Sequence, residues 1–222
     1  NNYMYNFDWL GRPIIQMPSE IVCIQELIWQ IQPDLIIETG IAHGGSLILS
    51  ASMLALLDYC DAVSTKRSLD LSKNNRLVVG IDIDIRKHNR EMINEHPLSN
   101  KIKVLEGSSV DKNVVNEIDV ISRNFKKILV FLDSNHTHDH VLEELNCYTK
   151  FVSKGSYCVV FDTIIDDLPK NFFNNRPWDP GNSPKSALKE FLTKNNNFEI
   201  DFNLSDKLLT TASPLGFLKR VN

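Results

Sequence analysis

Five short runs of β-branched and other apolar residues alternate along the chain with longer stretches of helical character. This alternation is typical of a parallel β-sheet with helices packed on both of its faces. The five predicted strands are Leu35–Ile37, Leu77–Ile81, Ile102–Leu105, Ile128–Leu132 and Tyr157–Phe161. The predicted crossover helices are Leu47–Leu57, Arg86–Glu95, Asn113–Arg123 and Asp139–Phe151. The sequence therefore predicts a single α/β domain over residues 1–222, with an N-terminal extension over about residues 1–30.

An acidic residue directly follows each of these five apolar runs. The carboxyl ends of parallel strands meet at one edge of the sheet, and open α/β folds bind their ligands there. We therefore expect the acids to surround one crevice. They are Glu38, Asp82, Glu106, Asp133 and Asp162.

The character of the chain changes after the fifth predicted strand. Residues 166–185 are rich in Asp, Asn and Pro and carry aromatic side chains, which predicts a long loop or lid over about residues 163–185. A short helix, Ala187–Lys194, and two antiparallel strands, Phe198–Phe202 and about Lys207–Leu218, are predicted to follow. A polar insertion over residues 58–76 is predicted between the first crossover helix and the second strand.

The composition limits the kinds of protein that this chain can be. Its 222 residues include 24 Lys and Arg against 28 Asp and Glu, and this net charge of −4 disfavours a nucleic-acid-binding protein. No window approaches the roughly 18 consecutive apolar residues of a membrane span, and the first residues lack a secretory signal pattern. The four cysteines have no C-x-x-C pair, which suits reduced thiols. We expect a cytoplasmic protein without a membrane span.

The segment ETGIAHGGS, residues 38–46, joins the first predicted strand to the first crossover helix. Glycines there let the backbone approach a ligand closely, and the helix start offers free N–H groups. The dinucleotide pattern G-x-G-x-x-G fails at Ala42, and the phosphate-loop pattern fails because Ser46 stands in place of lysine. An acid at the strand end suits a ligand with an ammonium or sulfonium group. The alternative is a turn that serves packing alone.

The ends of the second and third strands offer groups that could hold a nucleoside. Asp82 follows the second apolar run directly and can accept hydrogen bonds from both hydroxyls of a ribose. Asp84 is the weaker alternative, because it can pair with Arg86 or cap the next helix. After the third strand, Ser108 and Ser109 either hold an adenine or cap the following helix.

Three of the six histidines lie in the segment LDSNHTHDH, residues 132–140. A three-histidine zinc site is disfavoured, since His136, His138 and His140 share a face only if the segment is extended. We expect instead a divalent cation held by the oxygens of Asp133 and Asp162, which follow neighbouring strands. His136 can reach the same cavity as a general base near neutral pH. The other two histidines are expected to be helix-start residues or hydrogen-bonded core groups.

These motifs together resemble a known family. The segments ETGIAHGGS, GIDID, LDSNHTHDHV, VVFDT and RPWDPGNSPK, within about residues 3–220, look like the cephalosporin hydroxylase family. Its members are similar to class I S-adenosylmethionine-dependent O-methyltransferases, including rhamnosyl O-methyltransferases and sugar methyltransferases of macrolide pathways. The resemblance implies a Rossmann-like class I methyltransferase fold, with a seven-stranded, mostly parallel sheet of order 3-2-1-4-5-7-6 and an antiparallel last strand. It also implies a Mg²⁺-like metal and a homo-oligomer.

The resemblance assigns cofactor-binding positions in this sequence. It places the ribose of S-adenosylmethionine on Asp82 and the adenine near Ser108 or Ser109. It places the methionine part of the cofactor around Glu38, Gly40, His43, Gly44, Gly45 and Ser46.

The resemblance assigns the metal and the base as well. Asp133 and Asp162 match metal ligands, and His136 matches the base of the related macrolide sugar methyltransferases. Some relatives have Glu-Asp after the fifth strand where this chain has Phe161-Asp162, so one carboxylate ligand is missing. The residues that could complete the shell are Asn135, Thr163 and Asp166.

The expected reaction is transfer of a methyl group to a hydroxyl of a sugar or glycosylated metabolite, in surface-polysaccharide or natural-product biosynthesis. A divalent ion stabilises an alkoxide better than a lone histidine does, so we expect Asp133, Asp162 and the metal to bind a diol while His136 removes the proton. Three side chains of the predicted lid are expected either to bind the sugar or to pack: Arg176, Trp178 and Asn182.

Two other functions compete with methyl transfer. The family's name suggests an iron(II) oxygenase, which is disfavoured because the sequence contains no H-x-D triplet. A catalytically inactive binding or scaffold protein of the same fold is the second alternative.

Overall fold

The computed structural model describes residues 3–71 and 75–222, which form a two-stranded hairpin and a seven-stranded sheet. The hairpin consists of β1 (Phe7–Trp9) and β2 (Arg12–Ile14). The strands of the sheet are β3 (Leu35–Thr39), β4 (Leu77–Asp82), β5 (Ile102–Glu106), β6 (Ile128–Leu132), β7 (Tyr157–Val160), β8 (Phe198–Ile200) and β9 (Phe217–Arg220). Their spatial order is β5-β4-β3-β6-β7-β9-β8.

The strand directions confirm the predicted sheet. Strands β3 to β7 are parallel, and β3 lies between β4 and β6 with Leu35 opposite both Leu77 and Ile128. Strand β9 runs antiparallel to both β7 and β8. When the seven strands of the sheet are numbered in chain order with β3 as strand 1, their spatial order is 3-2-1-4-5-7-6. This is the Rossmann-like arrangement that the resemblance implies.

Helices cover both faces of the sheet because successive strand side chains point to opposite sides. The helices are α1 (Pro18–Ile31), α2 (Gly45–Thr65), α3 (Lys87–Glu95), α4 (Lys112–Ser122), α5 (His138–Tyr148), α6 (Pro184–Lys194) and α7 (Phe202–Lys207). Ile36 packs with α1, α2 and α3, whereas Leu35 and Ile37 pack with α4, α5 and α6. The short helix α7 precedes β9.

The boundaries of the predicted polar insertion are wrong. Residues 58–65 continue α2, where Asp58 and Asp61 lie one turn apart and both form ion pairs with Arg76. The polar residues therefore occupy one helical face rather than a loop. Residues 72–74 of that insertion and residues 1–2 of the extension lie outside the described residues.

The strand predicted over residues 207–218 is also misplaced. Helix α7 ends at Lys207, and β9 begins only at Phe217. Asp201, predicted as part of the preceding strand, accepts a hydrogen bond from the Leu204 N–H and caps α7. Gly216 contacts β7 closely, since a Cβ there would lie 2.1 Å from the Val160 carbonyl oxygen. This contact lies directly before β9.

Helix α2 is the element of the described chain that is long and apolar enough to cross a bilayer. Its inner side nevertheless belongs to the protein core, where Leu47, Leu54 and Leu57 are buried together with residues of α1 and β4. A buried core helix commonly has this length and composition.

Candidate active site

The turn between β3 and α2 reaches across the carboxyl edge of the sheet because Gly40 allows it. Gly40 adopts a φ of +81°, and its N–H donates to the Ile81 carbonyl of β4. A Cβ at this position would lie 2.1 Å from the carbonyl oxygen of Asp133. Glycine is therefore required both by the backbone conformation and by the contact with the end of β6.

Two buried side chains hold the carbonyl groups of this turn. Arg12 Nε donates to the His43 carbonyl at 3.0 Å, and Asn89 Nδ2 donates to the Ala42 carbonyl at 3.1 Å. Arg12 also donates to Asn89 Oδ1, and burial lowers the pKa of its guanidinium. The sequence analysis missed both residues, since neither belongs to a motif near the turn.

Asp82 holds the same turn from the other side. Its Oδ2 accepts hydrogen bonds from the N–H groups of Ile41 at 2.9 Å and Ala42 at 3.3 Å. The carboxylate remains partly exposed and lines the cavity described below. Asp84 is exposed, and its N–H donates to Asp82 Oδ1. The geometry therefore brings Asp82 rather than Asp84 to the glycine turn.

Glu38 is buried beneath the turn rather than exposed at the strand tip. Ser46 Oγ donates to its Oε1, whereas Oε2 has no hydrogen-bond partner among residues 3–71 and 75–222. Burial raises the pKa of Glu38 to about 8, against the smaller opposing effect of the Ser46 hydrogen bond. This carboxyl group is thus poorly compensated by the described residues.

Asp133, His136 and Asp162 come together where β6 and β7 end. One ligand atom from each lies within 4.8 Å of the other two, and His136 Nε2 is 3.2 Å from Asp162 Oδ2. Burial raises the pKa of Asp133 well above its usual value, and the charges of Asp162 and Glu38 raise it further. Two carboxylates and an imidazole this close suit a divalent cation, which would offset their repulsion.

Phe161 does not face this cluster. Its ring is buried in the core and packs edge-on against Phe131 at 5.9 Å between centroids. The proposed substitutes for the missing carboxylate are engaged elsewhere: Asn135 Oδ1 accepts hydrogen bonds from Thr137, and Thr163 donates to the Pro214 carbonyl. Asp166 binds residues of the predicted lid and Lys189. The third potential ligand atom of the cluster, beside those of the two aspartates, belongs to His136.

His138 and His140 have the structural roles that were expected. His138 is the first residue of α5, and its two ring nitrogens lie 2.8 Å from Ser186 Oγ and 3.1 Å from Glu190 Oε2 of α6. His140 Nε2 lies 3.0 Å from Ser109 Oγ. The three histidines therefore do not form one metal site.

Neither serine after β5 lines the cavity. Ser109 is buried, and its carbonyl accepts a hydrogen bond from Tyr148 Oη at 2.6 Å. The alternative that Ser108 or Ser109 caps α4 is wrong, because the cap is Asp111, whose carboxylate accepts from two N–H groups of the first turn.

Of the three predicted acceptor-binding residues, Trp178 contacts the cluster and Arg176 contacts Trp178. The Trp178 ring stands edge-on to His136 at 4.7 Å, and Arg176 Cζ lies 5.1 Å from the Trp178 ring centroid. Asn182 instead accepts a hydrogen bond from the His138 N–H and donates to the Pro177 carbonyl. It fixes the loop rather than facing the cavity.

A cavity of about 440 Å³ connects the glycine turn to the cluster of Asp133, His136 and Asp162. The predicted site residues that line it are Gly40, His43, Gly45, Ser46, Asp82, Asp133, His136, Asp162, Arg176 and Trp178. Those that do not line it are Glu38, Gly44, Ser108, Ser109 and Asn182. The N-terminal extension supplies five further lining residues: Met4, Tyr5, Pro13, Ile15 and Gln16.

Comparison with known proteins assigns the chain to a family. Residues 1–221 match the sequence family described as Rhamnosyl O-methyltransferase/CmcI. The chain belongs to this family. Membership in the rhamnosyl O-methyltransferase/CmcI family confirms the resemblance stated above and the prediction of an O-methyltransferase.

Curated relatives carry the same description. The rhamnosyl O-methyltransferase of Mycobacterium tuberculosis (strain ATCC 25618 / H37Rv) is 28% identical over 206 residues, covering 91% of this chain and 73% of the relative. The rhamnosyl O-methyltransferase of Mycobacterium leprae (strain TN) is 24% identical over 170 residues, covering 76% of this chain and 66% of the relative.

Solved structures share the fold at low sequence identity. A structure of CmcI with Mg and SAM is 16% identical, has a TM-score of 0.62 and covers 98% of this chain and 78% of its own. MycE methyltransferase in complex with Mg, SAH and mycinamycin VI is 14% identical, has a TM-score of 0.53 and covers 92% of this chain and 49% of its own. CalS11, a TDP-rhamnose 3'-O-methyltransferase, is 15% identical, has a TM-score of 0.55 and covers 78% of this chain and 69% of its own.

Proposed function

We propose that this protein transfers a methyl group from S-adenosylmethionine to a hydroxyl of a sugar or glycosylated metabolite, with the help of a divalent metal such as Mg²⁺. The observation that carries the proposal is one cavity that holds the glycine turn, Asp82 and the cluster of Asp133, His136 and Asp162. The cofactor supplies the activated methyl group, and the metal supplies positive charge that stabilises an alkoxide.

The cofactor end of the cavity suits S-adenosylmethionine in its chemistry. The volume of about 440 Å³ lies within the range of small-molecule sites, roughly 300–1,000 Å³. Asp82 is placed to accept hydrogen bonds from ribose hydroxyls, as in other open α/β folds. Ser46 lines the cavity and contacts the Glu38 carboxyl group, so Glu38 lies directly behind the proposed site of the cofactor's amino-acid end.

The catalytic end is proposed to orient and deprotonate the acceptor. Asp133 and Asp162 would hold the metal, which binds two neighbouring oxygens of the acceptor. His136 would take the proton of the reacting hydroxyl, and Asp162 Oδ2 lies 3.2 Å from Nε2, within reach of the protonated ring. Trp178 and Arg176 would bind the sugar beside this base.

The sugar acceptor is proposed from the relatives, which are named as rhamnosyl O-methyltransferases and include a TDP-rhamnose methyltransferase among the solved structures. Mass spectrometry after incubation with S-adenosylmethionine, Mg²⁺ and free, nucleotide-linked or lipid-linked rhamnose tests the proposal. We expect a gain of one methyl group in an acceptor and none after chelation of the metal or in Asp133→Asn. Methylation that persists in the chelator would contradict the role of the metal.

We also propose that the protein is a homo-oligomer in the cytoplasm. Each subunit would be a single methyltransferase domain, and residues 163–185 would form the lid over its cavity. Helices α1 and α2 pack against each other and expose apolar side chains that a second copy could cover: Val22, Trp29, Leu56, Tyr59 and Val63. The four cysteines are free thiols, as suits a reducing compartment. Light scattering of wild type and Trp29→Lys tests the oligomer, and equal masses at the monomer value would reject it.

A further inference from the structure

Gln16, between β2 and α1, has an unusual environment for a polar side chain. It is only 4% exposed, and it lines the cavity beside the glycine turn. Its carbonyl oxygen Oε1 is buried and has no hydrogen-bond partner among the described residues, 3–71 and 75–222. Buried amide oxygens are nearly always hydrogen-bonded in folded proteins, because leaving one unpaired is costly. A ligand in the cavity would supply the missing partner.

The position of Gln16 indicates which end of the cofactor it meets. Its neighbour Pro13 contacts the start of α2 so closely that a Cβ on Gly45 would lie 2.2 Å from the Pro13 carbonyl oxygen. Ile15, Gln16, Gly45 and Ser46 all line the same cavity. The β2–α1 connection is thus one wall of the cavity, at the place where the glycine turn becomes α2.

The chemistry around this wall fits an amino acid. Glu38 Oε2 is another buried oxygen without a hydrogen-bond partner among the described residues, and Ser46 Oγ, which belongs to a cavity-lining residue, contacts the same carboxyl group. An ammonium group can donate to an acceptor such as Gln16 Oε1, whereas a carboxylate can accept from the amide nitrogen of Gln16 and from N–H groups at the start of α2. A side-chain amide offers both a donor and an acceptor, and rotation about its last bond exchanges their positions.

We propose that the side-chain amide of Gln16 binds the amino-acid end of the cofactor and so fixes the cofactor along the cavity. This inference rests on the proposed function, since it presumes that S-adenosylmethionine occupies the cavity. It adds a residue of the N-terminal extension to the binding site.

Two ligands that differ only in the amino-acid end test the inference. S-adenosylhomocysteine carries this end, and 5′-methylthioadenosine lacks it. Calorimetry on the full chain would compare wild type, Gln16→Met and Gln30→Met. Methionine has a similar shape without the polar atoms, and Gln30 is an exposed residue of α1 that serves as the matched control.

We expect Gln16→Met to lose about tenfold or more in affinity for S-adenosylhomocysteine and to keep its affinity for 5′-methylthioadenosine. Retained binding of the second ligand also shows that the variant is folded. Unchanged affinity for S-adenosylhomocysteine, or an equal loss for both ligands, would overturn the inference. If wild type binds neither ligand, the proposed function itself fails, which is a distinguishable result.

Discussion

His136 Nε2 lies 3.2 Å from Asp162 Oδ2, so the proposed base and a proposed metal ligand, which follow neighbouring strands, are in direct contact. Asp133 completes the cluster, and burial, followed by the charges of Asp162 and Glu38, raises the pKa of its carboxyl group well above the usual value. The contact creates two possible roles for His136, as a metal ligand or as a base. The two roles differ in what a substitution does to metal affinity.

Substitution of His136 and Asp162 separates these roles. If His136 acts as the base, His136→Ala should lower kcat by about a hundredfold or more while Mn²⁺ affinity stays near that of wild type. Asp162→Ala should weaken Mn²⁺ binding because it removes a charged ligand. Electron paramagnetic resonance titration measures the metal affinity, and a methyltransfer assay measures kcat. An equal loss of Mn²⁺ affinity in both variants would identify His136 as a metal ligand.

Asp82 is predicted to be the acid that binds the ribose. Asp82→Ala should reduce the affinity for S-adenosylhomocysteine by at least about a hundredfold. The variant would lose the two proposed hydrogen bonds from the ribose hydroxyls to the carboxylate, and the Ile41 N–H of the turn would lose its acceptor. Asp84→Ala is the matched control, since Asp84 is exposed and two positions away. Calorimetry measures both affinities. A loss confined to Asp84→Ala would assign the ribose to the other acid.

Gly40 is predicted to tolerate no side chain. Gly40→Ala should reduce the free energy of unfolding by at least about 3 kcal/mol, since it combines a positive φ with overlap on the Asp133 carbonyl. Gly155→Ala is the control, because Gly155 has a φ of +80° and no atom within 4 Å of an added Cβ. It should cost only about 1–2 kcal/mol. Urea unfolding measures both, and equal losses would refute the close contact.

Glu38 is predicted to make stability fall as the pH rises. Burial raises its pKa from 4.5 to about 8, so between these values the folded state retains a proton that the unfolded chain releases. The contribution of this group to the free energy of unfolding then falls by about 1.4 kcal/mol for each pH unit in that window. Glu38→Gln removes this titration and also the Glu38 charge that raises the pKa of Asp133, and both changes make the stability of the variant fall less as the pH rises.

Urea unfolding of the ligand-free proteins at pH 5, 6.5 and 8 measures this difference. We expect Glu38→Gln to gain stability relative to wild type as the pH rises towards 8. A constant difference between the two proteins across this range would show that Glu38 does not titrate in it.

The sequence predicted the sheet and much of the cavity because both depend on local patterns. The apolar runs determine the strands, and the acids that follow them meet at one edge. Three of the five acids, Asp82, Asp133 and Asp162, line the cavity. The others do not: Glu38 turns into the core, and Glu106 forms an ion pair with Arg90. The end of a strand determines the position of a residue's backbone, but not whether its side chain points into the cavity or into the core.

The missed residues depend on contacts between distant parts of the chain. Arg12 and Asn89 reach the glycine turn from β2 and α3, and no motif near the turn signals them. Gln16 likewise lies in the N-terminal extension, far in sequence from the motifs of the cavity. A signal existed for the length of α2, because Asp58 and Asp61 are spaced as on one helical face and could have extended the predicted helix.

A crystal structure with S-adenosylhomocysteine and Mn²⁺ tests the central claim most directly. We expect the ligand to lie along the cavity with its ribose on Asp82 and its sulfur towards His136, and an anomalous Mn²⁺ peak between Asp133 and Asp162. A structure with both components bound elsewhere, or with this cavity empty at saturating concentrations, would contradict the proposed methyltransferase site.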